Sequence, residues 1–127
     1  AVDSRRLSVM MRADDGTLLG GLTGVTAWGW FDLQTLWLDE LARGHGYGAQ
    51  MLAVAEQEAA ARGCPHVVID IPDVQYLEFF HKRGYVTFAT LPDRPAGYVT
   101  HFLRKDLPRT HTGWGRPPVD GYAEMRK

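Results

Sequence analysis

Gly44, Gly46 and Gly48 alternate along Arg43-Gly44-His45-Gly46-Tyr47-Gly48, between a hydrophobic run and a stretch with helical periodicity. Glycine tolerates positive φ and lets another group approach the backbone closely. At a helix N-terminus the unpaired N–H groups and the helix dipole favour the same thing, a negative charge. The chemistry this spacing suits is the holding of a phosphate compound. A P-loop requires Lys and then Ser or Thr after its last glycine, whereas Ala49 and Gln50 follow Gly48. A dinucleotide loop, G-x-G-x-x-G, would close on Ala49 counted from Gly44, or on Met51 counted from Gly46. Asp70 stands about 20 residues on, where such a loop's ribose-binding acid belongs. The repeated βαβ units of that fold have too little chain here, so dinucleotide binding is the secondary alternative.

Other reactive residue types are sparse. No two of the five histidines have the i, i+4 spacing of a helical zinc site, and no H-E-x-x-H occurs, so no metal is expected. His45 lies inside the glycine loop, where its backbone matters and its ring faces solvent. The one cysteine, Cys64, sits between Gly63 and Pro65, excludes an internal disulfide and reads as structural. The chain has 127 residues, 45% hydrophobic and 23% charged, the profile of one globular domain. A net charge of −1 gives no electrostatic case for nucleic acid or an anionic membrane. The apolar runs are too short to span a bilayer and no signal peptide is visible, so the expected location is the cytoplasm.

The elements that must position the loop follow from pattern. Leu7–Arg12 and Leu18–Trp28 read as strands around an Asp14-Asp15-Gly16 turn, and Phe31–Leu38 is a third strand after Gly29. Met51, Leu52, Ala55 and Ala59 share one face of the helix after the loop, which Gly63 caps. Val67–Ile71 is a short apolar run, as in a strand covered on both faces. Asp73 can N-cap a second helix over Val74–Arg83 that Gly84 ends. Tyr85–Thr90 and Tyr98–Arg104 complete the order β-β-β-α-β-α-β-β. Residues 1–107 form the domain. Residues 108–127, rich in Gly, Pro and polar types, are expected to be a loop-like or disordered tail, with Trp114, Tyr122 and Met125 as apolar anchors.

The loop R-x-x-G-x-G, placed directly after a strand, resembles the acyl-CoA-binding signature of the GCN5-related N-acetyltransferase (GNAT) superfamily. The resemblance extends through GGLTGVTAWGW, GCPHVVIDIP, FFHKRGY and TFATLPDRPAGYVTHFLRKDL, in order, over roughly Ser8 to Leu107. It implies an α/β fold with a mixed, mostly antiparallel sheet, here expected to lack most of the family's usual N-terminal strand and helices, which wall the acceptor pocket. It implies acetyl-CoA as donor and a small-molecule amine as acceptor, joined by direct attack in a ternary complex. By the family's arrangement, Leu36, Trp37 and Leu38 hold pantetheine like an added strand. The amides of Arg43, Gly44, His45, Gly46, Tyr47, Gly48 and Ala49 take the pyrophosphate.

Proton handling departs from the family's pattern. F-Y-x-x-x-G commonly supplies a Tyr that protonates the leaving thiolate, but counting back from Gly84 gives Phe80. Tyr76 lies one turn earlier on the same side, about 6 Å along the axis, and could donate through a water; its alternative role is core packing. Relatives often place Glu or Asp where Gln34 stands. Asp32, on the same strand face, is the nearest substitute base, with a solvated turn acid as its alternative. Two readings stay open: an N-acetyltransferase, or a CoA- or partner-binding module that has lost the chemistry. With the acceptor wall shortened, Trp28, Trp30 and Trp37 are expected near an exposed apolar flank. A homodimer, the 108–127 tail, or both would complete the pocket.

Overall fold

The computed structural model describes residues 4–72, 74–108 and 122–126. Its elements are β1 (Arg5–Arg12), β2 (Leu18–Ala27), β3 (Trp30–Leu38), a 3-10 turn (Glu40–Ala42), α1 (Tyr47–Ala61), β4 (His66–Ile71), a second 3-10 turn (Val74–Tyr76), α2 (Leu77–His81), β5 (Val86–Pro92), β6 (Val99–Asp106) and β7 (Tyr122–Arg126). Among the described residues these strands form one seven-stranded sheet in the order β5-β6-β4-β3-β2-β1-β7. Two neighbouring pairs are parallel, β3 with β4 and β1 with β7; the rest are antiparallel. The expected mixed, mostly antiparallel sheet and its strand–helix order are what the chain adopts.

Local sequence explains the connections. At the first hairpin Gly16 takes φ +92°, and the Thr17 amide donates to the Asp15 carboxylate at 2.9 Å. At the second, Trp28 and Gly29 both take positive φ, 55° and 81°, as a two-residue turn between twisted strands requires. Trp28 pays for this with backbone strain that Asn or Gly would not carry.

One face of the sheet is the core. Leu7, Val9, Leu22, Phe31, Leu33 and Val67 alternate inward along their strands and meet Met51, Leu52, Ala55 and Ala59 of α1. Glu56 of α1 accepts hydrogen bonds from the Tyr85 hydroxyl at 2.7 Å and from Lys105 Nζ at 2.9 Å. That network ties α1 to β6 and to the segment after α2.

Two expectations change. The second helix is shorter than Val74–Arg83: Val74–Tyr76 is a 3-10 turn and α2 spans only Leu77–His81. Only Phe80 of that stretch is buried, so burial cannot support a longer amphipathic helix. Its proposed cap, Asp73, lies outside the described residues. The tail expected to be loop-like or disordered contributes β7, whose five residues pair with Ser8–Arg12. This strand is held by a backbone ladder, which leaves no periodic signature in so short a sequence. Trp114 lies outside the described residues.

Candidate functional site

β3 and β4 run side by side only over Trp30↔His66, Phe31↔Val67 and Asp32↔Val68. Beyond Asp32 they part. Pairing between β2 and β3 steps from Gly24↔Leu33 to Thr23↔Thr35, so Gln34 is an extra residue with no partner on β2. Such a β-bulge bends the strand that carries it. Gly24 makes room for it: a Cβ there would overlap the Asp32 carbonyl oxygen and lie 2.5 Å from the Phe31 ring.

The gap is a cleft of about 680 Å³. Gln34–Leu38 of β3 form one wall and Ile69–Ile71 of β4 the other, with Gln75, Tyr76, Phe79 and Phe80 closing it from the α2 side. Arg43 and Gly48 stand at the loop end. Trp37 keeps 44% of its surface exposed. Along Leu36–Leu38, β3 pairs with β2 on one side only, and among the described residues no strand meets its other side, which faces the cleft.

The glycine loop delivers the helix start to this cleft. Gly46 caps α1 in the left-handed conformation, φ +78°. The Gln50 amide, donating to the Gly46 carbonyl at 3.1 Å, closes the first turn. The amides of Tyr47, Gly48 and Ala49 therefore precede the helical ladder. Arg43 Nε donates to the Leu38 carbonyl at 3.4 Å, and the His45 and Tyr47 rings stack with centroids 5.4 Å apart. His45 is exposed.

The structure brings Leu36, Trp37, Leu38, Arg43, Gly48 and Tyr76 together as cleft lining. Gly44, His45 and Gly46 in the loop, and Tyr47 and Ala49 in the first turn of α1, stand at its end without lining it. Asp32 lies outside the lining, at the last β3–β4 rung. Burial, and then the negative charge of Asp70, push its carboxyl above the usual carboxylate range. Tyr76 is 53% exposed, so core packing is not its role. Phe80 is 3% exposed and lines the cleft with a phenyl ring, which has no proton to donate.

Sequence reasoning missed Asp70, Gln75, Thr35 and Phe79 as cleft residues. Phe79 lies 3.5 Å from where a Gly48 Cβ would sit. Asp70 reads from the sequence as the end of an apolar strand, or as the ribose-binding acid of the alternative dinucleotide loop, and not as a cleft residue. That β4 parts from β3 just before it is a tertiary fact. Among the described residues no three His, Cys, Asp or Glu gather as metal ligands, and no helix is long and apolar enough to cross a membrane.

Known proteins share this arrangement. Residues 2–85 match the Acetyltransferase (GNAT) family. Acetyltransferase Atu2258 of Agrobacterium fabrum is 36% identical over 103 residues, which is 81% of this chain and 75% of that protein. Blasticidin-S acetyltransferase of Streptomyces morookaense is 39% identical over 93 residues, 72% of this chain and 68% of that protein. A crystal structure of an acetyltransferase from Bacillus cereus superposes with a TM-score of 0.77 at 32% identity, covering 83% of this chain and 75% of that one. Sequence match, relatives and fold agree, and the chain belongs to the GNAT family of acetyl-CoA-dependent N-acetyltransferases.

Proposed function

We propose that the protein transfers acetyl from acetyl-CoA directly to the amine of a small molecule, both bound at once in the β3–β4 cleft. The observation that carries this is the parting of β3 from β4 above a glycine-capped helix start. One opening thus offers a free strand edge and a set of amide donors. Leu36–Leu38 hold the pantetheine arm, and the amides from Arg43 to Ala49 face the pyrophosphate. The acceptor's neutral amine attacks the thioester carbonyl; a C–N bond forms and the C–S bond breaks. Tyr76 supplies the thiolate's proton, through a water, and Asp32 takes the proton released from nitrogen. Positioning of the two reactants provides most of the acceleration. Blasticidin-S acetyltransferase, named for a small-molecule acceptor, supports that class of acceptor.

Thiol release from acetyl-CoA against a panel of small amines tests the reading. Release above the amine-free rate with at least one amine is expected. Tight CoA binding with no release from any amine would favour the second reading, a CoA-binding module, which Gln34 and Phe80 motivate.

Residues 1–107 act as the catalytic unit in this reading, in the cytoplasm, where Cys64 stays a free thiol. The protein works as a homodimer. The edge strand β5 carries no charge and leaves Val86, Phe88 and Leu91 exposed, with Tyr98 and Val99 exposed where the chain enters β6, a surface suited to a second copy. Light scattering that finds only monomer at assay concentrations would remove the dimer.

A further inference from the structure

The cleft has an electrostatic direction. Of its lining residues only Arg43 and Asp70 are charged. Arg43 stands by the glycine loop, held to the Leu38 carbonyl. Asp70 stands two residues past the last β3–β4 rung, at Val68. Leu38 lies six residues past the matching position, Asp32, or about 20 Å along a strand. The donor's phosphates belong at the Arg43 end. Asp70 is therefore at the end where the acceptor enters.

Asp70 is also uncommitted. Its side chain is exposed, and among the described residues it makes no hydrogen bond or ion pair. Asp32 has none either, and it lies near enough to feel Asp70's charge. Cations on the same side are engaged elsewhere. Arg104 pairs with Asp106 at 2.9 Å and lies over the Trp30 ring, and Arg94 lies over the ring of Phe102, Asp70's cross-strand partner on β6. Two like charges on one patch of sheet repel unless a cation joins them.

Asp32 already serves the reacting nitrogen as its base, and a second carboxylate beside that nitrogen would hold it as ammonium, the form that cannot attack. Asp70 serves the reaction if it holds a different positive group of the same molecule, leaving the reacting amine to Asp32 and neutral Gln34. We propose that Asp70 anchors a second cationic group of the acceptor, so that the cleft selects small amines carrying two positive centres. This rests on the acetyl-transfer reading above and names its acceptor class.

The test uses 1,5-diaminopentane and 1-aminopentane as probes, titrated by calorimetry into the CoA-saturated protein, alongside thiol release with each. A charge-assisted contact at a partly exposed site predicts about 10-fold tighter binding of the diamine. Asp70→Asn should collapse that preference toward one, and Asp70→Glu should restore part of it. In the unaltered protein the preference should shrink as salt shortens the Debye length from about 10 Å at 0.1 M to about 3 Å at 1 M. That arm needs no variant to fold. Equal affinity for both probes, or a preference that survives Asp70→Asn or 1 M salt, overturns the anchor. So does a loss of kcat with both amines at unchanged KM in Asp70→Asn, which would make Asp70 a base. An Asp70-dependent diamine preference with no thiol release supports the anchor and overturns acetyl transfer, so the two failures are told apart.

Discussion

Phe80 meets Tyr85 edge to face, with ring centroids 5.2 Å apart and planes at 81°. Tyr85 in turn donates to Glu56, so the ring at the cleft's back wall is buttressed by a buried polar network. Phe80, which lines the cleft, is thus fixed against Tyr85. Phe80→Tyr should raise turnover by at least about 10-fold, the lower part of what a general acid contributes. Tyr76→Phe should lower turnover of the parent protein by about 10²-fold while leaving the melting temperature unchanged, because Tyr76 is exposed. Thiol-release kinetics with thermal melts decide both. Equal turnover in the Tyr76 variant would end its role as proton donor.

Tyr85 sets an alkaline limit on stability. Burial, then the charge and hydrogen bond of Glu56, hold its hydroxyl far above the ordinary value of about 10. The folded protein therefore keeps a proton that the unfolded chain loses above about pH 10, and stability falls as pH rises beyond that point. Denaturant melts from pH 8 to 11 should show this decline, and Tyr85→Phe should flatten it. At neutral pH the same change should cost about 1–2 kcal/mol, since Glu56 loses one partner and keeps Lys105. A Tyr85→Phe protein with the parent's alkaline slope would assign the decline elsewhere.

The loop glycines should separate in their effects. Gly46 takes φ +78°, so Gly46→Ala should cost about 1–2 kcal/mol of stability and weaken CoA binding. A Cβ on Gly48 would make ordinary contacts of 3.5 and 3.6 Å with Phe79 and Leu38. Gly48→Ala should therefore melt like the parent yet bind CoA more weakly, because the methyl fills the loop end of the cleft. Calorimetry with CoA, paired with melts, checks both. Parent-like affinity in the two variants would move the phosphate site off this loop.

Asp32 should report on Asp70 directly. Its carboxyl titrates above the usual range, and removing Asp70's charge should bring it down, leaving the burial contribution. A raised value in the folded state means stability is lost as pH rises through it, so Asp70→Asn should melt higher than the parent at neutral pH. Carbon-detected NMR titration of the Asp32 carboxyl reads the shift. An unmoved titration would mean that burial alone raises it.

Much of the scaffold is visible in residue order because local rules fix it. Asp14-Asp15-Gly16 turns a hairpin, Gly46 and Gly63 bracket α1, and Val67–Ile71 is too apolar and too short for anything but an inner strand. The cleft itself is less legible. Its width comes from Gln34 having no partner on β2, and a bulge follows from how two strands register, which no single stretch encodes. Asp70 gains its place from the parting of β3 and β4. The second helix appeared longer in sequence because helical spacing counts apolar residues, whereas Val74 and Tyr76 spend theirs on an exposed turn. β7 escaped notice because its pairing with β1 is made by backbone groups.

The half-paired stretch of β3 has a kinetic consequence. From Thr35 to Leu38 one row of backbone groups meets β2 and the other meets no strand. In hydrogen–deuterium exchange the amides of the free row should trade with solvent quickly, although they sit in the middle of the sheet and not at its rim. Occupation of the cleft by a donor should slow that row alone, leaving a protection footprint of every second residue along β3.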